Sequence, residues 1–424
     1  MQTNLSSSAG PNIAYLPLME NQTALRSNRS YIWLLLVILS TQFTPNFSFA
    51  SWRQVEVAAS VKGETALIGI TEKESTVYES PKKCVFATFD FSSKKISERI
   101  VHRNSGFEFS ANPTTAISSN GTLHVVCMSV MRDYSKGILE YSKSVDNGTT
   151  WTPFKTIVKR HNGIPDKPVL AANKDGSLLL GFTDIILDSS SGSLKVKGAI
   201  EYTTSTDDGE SWSAPQNMAS PPELQDSEFA TGFQGTSVLP TSDGYLVAFS
   251  EYGGGGAYAC LFTQRDGCKE IKLVTESSIQ VPVIQITENA TTNAIAITIQ
   301  ETHEFGQVYL AESKNKGASW MVKEVSTSGT MASLDFVNGK IVALIAEMRK
   351  NDSNSSVITS LLEFTSETLE KKSLRILEET RISGIAYLGA YQTLMKISEK
   401  KAAAFWISYA DGNQLLKIDV ISVD

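Results

Sequence analysis

STDDGESWSAP, residues 205–215, places two adjacent aspartates, a glycine and a tryptophan in one short polar stretch, and three readings compete for it: a ligand loop, a calcium loop, or a turn joining two strands. Two relatives elsewhere in the chain decide the matter, SVDNGTTW at 144–151 and SKNKGASW at 313–320. Each follows a strand-like run that begins with Gly seven residues before the Ser, namely GILEYSKS, GAIEYTTS and GQVYLAES. A motif that recurs at a fixed offset from a strand is a structural repeat. In S-x-D-x-G-x-x-W the side chains of Ser144, Ser205 and Ser313, with those of Asp146, Asp207 and Asn315, reach N–H groups inside the turn. Gly148, Gly209 and Gly317 take the positive φ, and Trp151, Trp212 and Trp320 fold back over the apolar side. An aspartate satisfied inside its own turn is not offered to a ligand. The stretches also lack the downstream bidentate Glu and the carboxylate count of a calcium loop, so the reading carries no metal.

A second repeat is offset from the first. Six apolar strand signals, most entered by an Asn-Gly or Asp-Gly turn, begin at NGTLHVVCM (120), DGSLLLGFT (175), DGYLVAFSE (243), NAIAITIQE (293), NGKIVALIA (338) and KKAAAFWIS (400). Each follows another short strand, as in PVLAANK or GTSVLPTS. Strand, turn, apolar strand, turn, strand, turn box, strand is a four-stranded antiparallel unit of roughly fifty to sixty residues. Six of them describe an all-β fold, a six-bladed β-propeller, with TALIGITE near 65 closing the ring against the last blade. Helical periodicity is weak and no linker divides residues 51–424, so they form one domain.

Composition narrows the function. A net charge of −7 and scattered Lys and Arg leave no basic footprint for nucleic acid. Residues 1–50 run from Arg26 and Arg29 through the apolar stretch IWLLLVIL (32–39) to Ser48 and Ala50, the order of a secretory signal cut after Ala50. Eight strongly apolar residues are too few to span a bilayer, and the mature chain is expected to be secreted or held at the cell surface, with an uncleaved anchor as the alternative. Asn120, Asn147, Asn289, Asn351 and Asn354 head N-x-S/T sequences, acceptors of N-glycans where exposed. Four cysteines, Cys84, Cys127, Cys260 and Cys268, permit three disulfide connectivities, and free thiols are the alternative. His102, His124, His161 and His303 show no ligand spacing, and Gly253–Gly256 joins two strands without a phosphate-loop context, so no cofactor is read.

On its turn boxes and blade order the chain from about 51 to 424 resembles the sialidase and trans-sialidase family, whose six-bladed propellers carry such Asp-boxes between the third and fourth strands of several blades. That resemblance implies a site with three arginines clamping the sialic-acid carboxylate, since guanidinium groups bind a planar carboxylate bidentately. It also implies a Tyr nucleophile activated by Glu, and an Asp acid/base. LGAYQTLM matches the nucleophile segment at Tyr391. VMRDYSKG matches the acid/base loop with Arg132 and Asp133, and Asp166 in GIPDKPVL matches a residue that contacts the substrate's N-acyl group.

The clamp itself departs from the pattern. Ala111 stands where the first arginine belongs, Gln300 takes the place of the second, and SSVITS offers no third. No Glu stands near Val281 or Ser408, the places of the activating group. Truncating a buried bidentate Arg–carboxylate contact costs on the order of 2–5 kcal/mol. Without the Glu, Tyr391 would keep a pKa near 10 and attack poorly. The resemblance therefore implies a sialidase-like propeller without catalysis, binding sialylated or other glycans or a protein partner through its upper loops. The alternative is an active exo-α-sialidase or trans-sialidase whose arginines, among Arg265, Arg349 and Arg381, enter from shifted loops.

Overall fold

The computed structural model describes residues 54–423, apart from 74–80, 189–194, 220–229, 242–243, 252–255, 264–266, 275–284, 290, 293, 301–304, 351–354, 367, 383–391 and 409–414. The leader at 1–50 thus lies outside the described residues. No described residue is helical, and none of the described segments is a helix long and apolar enough to cross a membrane.

The strands form consecutive antiparallel units. The first holds β1 (Gln54–Lys62), β2 (Thr65–Lys73), β3 (Lys82–Asp90) and, on its outer edge, the short β4 (Lys95–Ile96) and β5 (Ile100–His102). The second holds β6 (Phe109–Ile117), β7 (Leu123–Val130), β8 (Lys136–Ser144) and β9 (Lys155–His161). The third holds β10 (Gly163–Ala172), β11 (Leu178–Asp188), β12 (Lys195–Ser205) and β13 (Gln216–Ala219). The fourth holds β14 (Ala230–Thr241), β15 (Gly244–Glu251), β16 (Gly256–Thr263) and β17 (Gly267–Val274). In the fifth, β18 (Gln285–Asn289), β19 (Ala294–Gln300) and β20 (Gly306–Ser313) pair with the first half of β21 (Met321–Val337). The second half of β21 opens the sixth, with β22 (Lys340–Lys350), β23 (Ser355–Phe364) and β24 (Lys371–Ile382). The seventh holds β25 (Thr393–Ser398), β26 (Lys401–Ser408) and β27 (Leu415–Ser422).

The first strands pack in order, β1 on β6, β6 on β10, β10 on β14, β14 on β18, β18 on β21 and β21 on β25, and β25 returns to β1. This is a β-propeller, and its described strands give seven units rather than the expected six. TALIGITE is not a closing strand of the last blade but the second strand of a blade of its own, reached through a turn at Gly63 with φ 56°. The blade was hidden because its turn reads Lys-Gly rather than Asn-Gly and no box follows its third strand.

Each box occupies the turn between a third and a fourth strand and leans on the preceding blade. In the first box Gly148 N and Thr150 N donate to Ser144 Oγ and Asp146 Oδ1 at 2.8 Å each, and Trp151 Nε1 donates to Gly148 O at 3.1 Å. Gly317 N and Ser319 N make the same 2.8 Å bonds to Ser313 and Asn315, and Trp320 bonds Gly317 O. The opening stretch differs in one respect. Gly209 N still reaches Ser205 Oγ and Ser211 N reaches Asp207 Oδ1, but Gly209 O is taken by Lys155 Nζ of the second blade at 2.9 Å. The buried Trp212 Nε1 finds no acceptor among the described residues. Its ring instead meets Tyr141 edge-on at 5.2 Å.

The neighbouring aspartate, Asp208, is the second half of that contact. It accepts from Ser118 Oγ, Asn120 Nδ2 and Thr122 Oγ1 of the second blade at 3.2, 3.1 and 2.7 Å. Beneath them lies His124, whose burial pushes its imidazole down to about 4, so it is neutral at pH 7. Its Nδ1 is 2.8 Å from the Tyr141 hydroxyl.

The runs ahead of the boxes, GILEYSKS and GAIEYTTS, serve the same seams. Glu140 and Glu201 face the preceding blade, where Glu140 meets His102 at 2.9 Å and Glu201 meets Arg160, which also holds Asp184 at 2.6 Å. Tyr202 faces onward and stacks edge-on against Phe262 at 4.6 Å. Both disulfides are formed. Cys84–Cys127 ties β3 to β7 across the first seam, and Cys260–Cys268 closes the β16–β17 hairpin, where the fourth blade has no box. That is one of the three connectivities open from sequence.

Two outcomes are expected. Gly209 has φ 86°, and a Cβ there would lie 1.8 Å from Tyr141 Oη; Gly209→Ala should cost about 2–4 kcal/mol in chemical denaturation, more than Gly121→Ala, where the turn is open. Constraining a 43-residue separation contributes about 4 kcal/mol against about 2.5 for 8 residues, so a Cys84→Ser/Cys127→Ser variant should melt lower than Cys260→Ser/Cys268→Ser.

Candidate functional site

In every blade the first strand starts at the same end of the ring, which is also where second and third strands connect; the boxes lie at the other end. At this mouth the register of the first strand slips in β1 (Gln54/Glu56), β6 (Ala111/Thr114), β10 (Asp166/Val169), β14 (Gln234/Ser237) and β21 (Thr330/Ser333). Such bulges twist a strand and re-aim its side chains. Three of the inserted residues are left-handed, Asn112 at φ 51°, Lys167 at 47° and Gly235 at 64°. For glycine this is unstrained. Asn112 and Lys167 each precede a proline and have a Cβ, so both hold a conformation that costs of order 1–3 kcal/mol.

These two strained residues feed one hydrogen-bonded chain across three blades. Glu56 Oε2 accepts Asn112 N at 3.0 Å and also Thr71 Oγ1. Asn112 Nδ2 donates to Asp166 Oδ1 at 2.9 Å, and Lys167 Nζ donates to Asp166 Oδ2 at 2.8 Å. Lys73, at the mouth end of β2, is buried, and burial followed by repulsion from Lys82 lowers its amine to about 8 against the attraction of Glu56. On the rim, Lys82 Nζ and Arg132 Cζ lie 5.5 and 5.6 Å from the centre of the Phe109 ring. Aromatic surface, cations and paired carboxylates thus share one rim, a lining suited to a polar ligand with an apolar face and an anionic group.

The residues singled out from sequence fall unevenly around this cluster. Asp166 is in it, and Arg132 is on its edge with its backbone N–H donating to Glu108 Oε2 at 3.1 Å. Asp133 is exposed, and its Oδ1 accepts Ser135 N and Ser135 Oγ at 3.0 and 2.6 Å. Those bonds lower its carboxyl below the usual range, which opposes the proton donation asked of a general acid. Tyr391, His303, Arg265 and the Gly253–Gly255 loop lie outside the described residues. Of the departures from the arginine pattern, Ala111 is buried and Gln300 is fully buried, its Nε2 donating to Thr330 Oγ1 at 3.1 Å. Arg349 is exposed at the mouth end of β22, opposite Ser356 of β23.

One acidic residue arrives from an unexpected element. Glu378 of β24 accepts Ser408 Oγ at 2.7 Å and Trp406 Nε1 at 2.6 Å, across the seam between the sixth and seventh blades. Reading along the chain near Ser408 misses it, because it comes from the preceding blade. The chain Glu56–Asn112–Asp166–Lys167 was missed as well, although Asn-Pro and Lys-Pro at equivalent places in two blades were its signal.

No protein-family profile matches the chain, and no curated protein matches its sequence. Among solved structures, a polysaccharide lyase, PL25 ulvan lyase bound to -[GlcA(1-4)Rha3S]-, aligns with a TM-score of 0.54 at 11% identity, over 89% of this chain and 96% of its own. A leech intramolecular trans-sialidase complexed with 2,7-anhydro-Neu5Ac aligns at 0.49 and 10% identity, over 88% and 93%. The α-L-arabinofuranosidase Arb93A of Fusarium graminearum aligns at 0.48 and 13%, over 89% and 98%. At such identities the likeness to the lyase establishes the fold and no chemistry.

Lys73 supplies the test of this geometry. Its side-chain resonances should titrate near pH 8, and Glu56→Gln, which removes the attracting carboxylate, should move the midpoint lower still. Because the folded pKa lies below the unfolded value near 10.4, stability should rise with pH between about 8 and 10.4, and Lys73→Met should abolish that rise. A midpoint near 10.4 would place the amine in water, away from the mouth.

Proposed function

We propose that the protein is a secreted or cell-surface glycan-binding propeller without sialidase turnover, and that the ligand sits at the mouth over the first three blades. The observation that carries this reading is the pair of left-handed, pre-proline residues Asn112 and Lys167, held on adjacent first strands and joined through Asp166. Strain of this kind persists where the surroundings over-determine it, and a binding site is its usual setting. A sugar ring suits Phe109, and a carboxylate or sulfate ester suits Lys82 and Arg132 beside it. The ulvan lyase that shares the fold is itself bound to a glucuronic acid–sulfated rhamnose ligand, and the reading extends that ligand class to this chain.

Support for the absence of turnover is chemical. The residue matched to the acid/base is an exposed carboxyl held in its anionic form by Ser135, and the positions matched to the first two arginines are the buried Ala111 and Gln300.

Glycan-array screening of the protein should return acidic saccharides, with binding reduced at least tenfold in Asp166→Ala and in Phe109→Ala. A fluorogenic α-sialoside should remain intact, with Tyr391→Phe indistinguishable from the parent. Turnover abolished by Tyr391→Phe would instead establish an active sialidase with rearranged arginines. Absence of binding to every saccharide would defeat the glycan reading.

A further inference from the structure

Two N-x-S/T sequences with the same letters, N-G-T at 120–122 and at 147–149, both lie at the box end of the ring. The structure uses them in opposite ways. Asn147 sits at the tip of the first box with φ 57°, exposed together with Thr149, and its side chain makes no hydrogen bond among the described residues. Asn120 is also exposed, but its amide is committed. Its Oδ1 accepts Ser118 Oγ at 2.6 Å and Thr122 N at 2.9 Å, and its Nδ2 donates to Asp208 Oδ2 at 3.1 Å. Thr122, the hydroxyl residue of that sequence, is 4% exposed and donates to the same carboxylate oxygen at 2.7 Å.

We propose that Asn147 carries an N-linked glycan and that Asn120 stays unmodified as part of the latch between the second and third blades; this rests on the reading that the chain enters the secretory pathway. The donor is a lipid-linked oligosaccharide diphosphate. The Asn147 amide nitrogen attacks C1 of its first sugar, the N–C1 bond forms as the C1–O bond breaks, and the lipid diphosphate leaves with the bonding electrons while the amide gives up one proton. That reaction needs the asparagine amide and the hydroxyl two residues on to be reachable together. The Asn147 amide is unbonded among the described residues and Thr149 is exposed, its Oγ1 donating only to Asp146 O of its own turn at 2.9 Å; Asn120 and the buried Thr122 have spent both groups on Asp208. A glycan at Asn147 also stands at the end of the ring opposite the mouth, where it covers none of the candidate site.

The experiment expresses the full chain behind a heterologous cleavable secretion leader, so that entry to the pathway does not depend on residues 1–50. Secreted protein is digested with peptide N-glycosidase in heavy-oxygen water and mapped by mass spectrometry. The label is expected at position 147 and absent at 120, and Asn147→Gln should remove one glycan mass. Asn120→Gln should leave the glycan pattern unchanged but lower the thermal midpoint by about 2 °C through loss of the latch. A labelled Asn120 peptide, or an unlabelled Asn147 peptide in secreted protein, overturns the assignment. Retention in the cell of the chain carrying its own leader would count against the secretory reading alone.

Discussion

Beyond the short parallel pairings of β6 with β3 and β14 with β12, and the β20 pairing of the first half of β21, the first strands face the axis with one edge outside the ladder, and that edge is the constraint on which the ring depends. A buried N–H or C=O without a partner costs about as much as a lost hydrogen bond, and an open edge invites foreign strands. Here the neighbour's side chains fill the vacancy. Leu170 N donates to Thr114 Oγ1 at 3.0 Å, Gly235 N to Thr183 Oγ1 at 3.0 Å, and Leu394 N to Ser333 Oγ at 2.7 Å. In the other direction Ser60 Oγ donates to Thr115 O at 2.8 Å and Thr298 Oγ1 to Ala332 O at 3.2 Å. Asp335 goes furthest, accepting Thr287 Oγ1 from one neighbour and Lys396 N from the other at 2.8 and 2.6 Å; burial raises its carboxyl against those bonds. The serines and threonines in otherwise apolar first strands are explained by this requirement.

The same logic divides the molecule into two ends with different duties. At the box end polar groups are matched to one another, as where Asp208 gathers three donors from the preceding blade, and little is left for a ligand. At the mouth the first strands are bulged and strained, and Asn112, Asp166 and Lys167 converge from neighbouring blades. A fold that closes its seams at one end is free to vary the other, which is how propellers support many ligands on one architecture.

Much of the fold was legible in the sequence. The three boxes, the strands before them and the six apolar second strands all stand where turn chemistry and period-two patterning placed them. The blade that was missed lacks both signals, since Lys62-Gly63 replaces Asn-Gly and no box follows β3. The site was far less legible. Asp166 could be named from its surroundings in the chain, but its partners Asn112 and Glu56 are 54 and 110 residues away and meet it only through the ring. Glu378 beside Ser408 is hidden for the same reason. Local patterns report turns and strands, whereas a site assembled from several blades has no local pattern to report.

The central claim is that ligand binding belongs to the strained mouth and not to the turn boxes. Backbone hydrogen exchange followed by mass spectrometry, with and without a saturating acidic oligosaccharide, tests it most directly. The account predicts added protection in segments covering 109–114 and 164–169, with exchange at 144–151, 205–212 and 313–320 unchanged. Protection confined to the boxes, with the mouth unaffected, would contradict it.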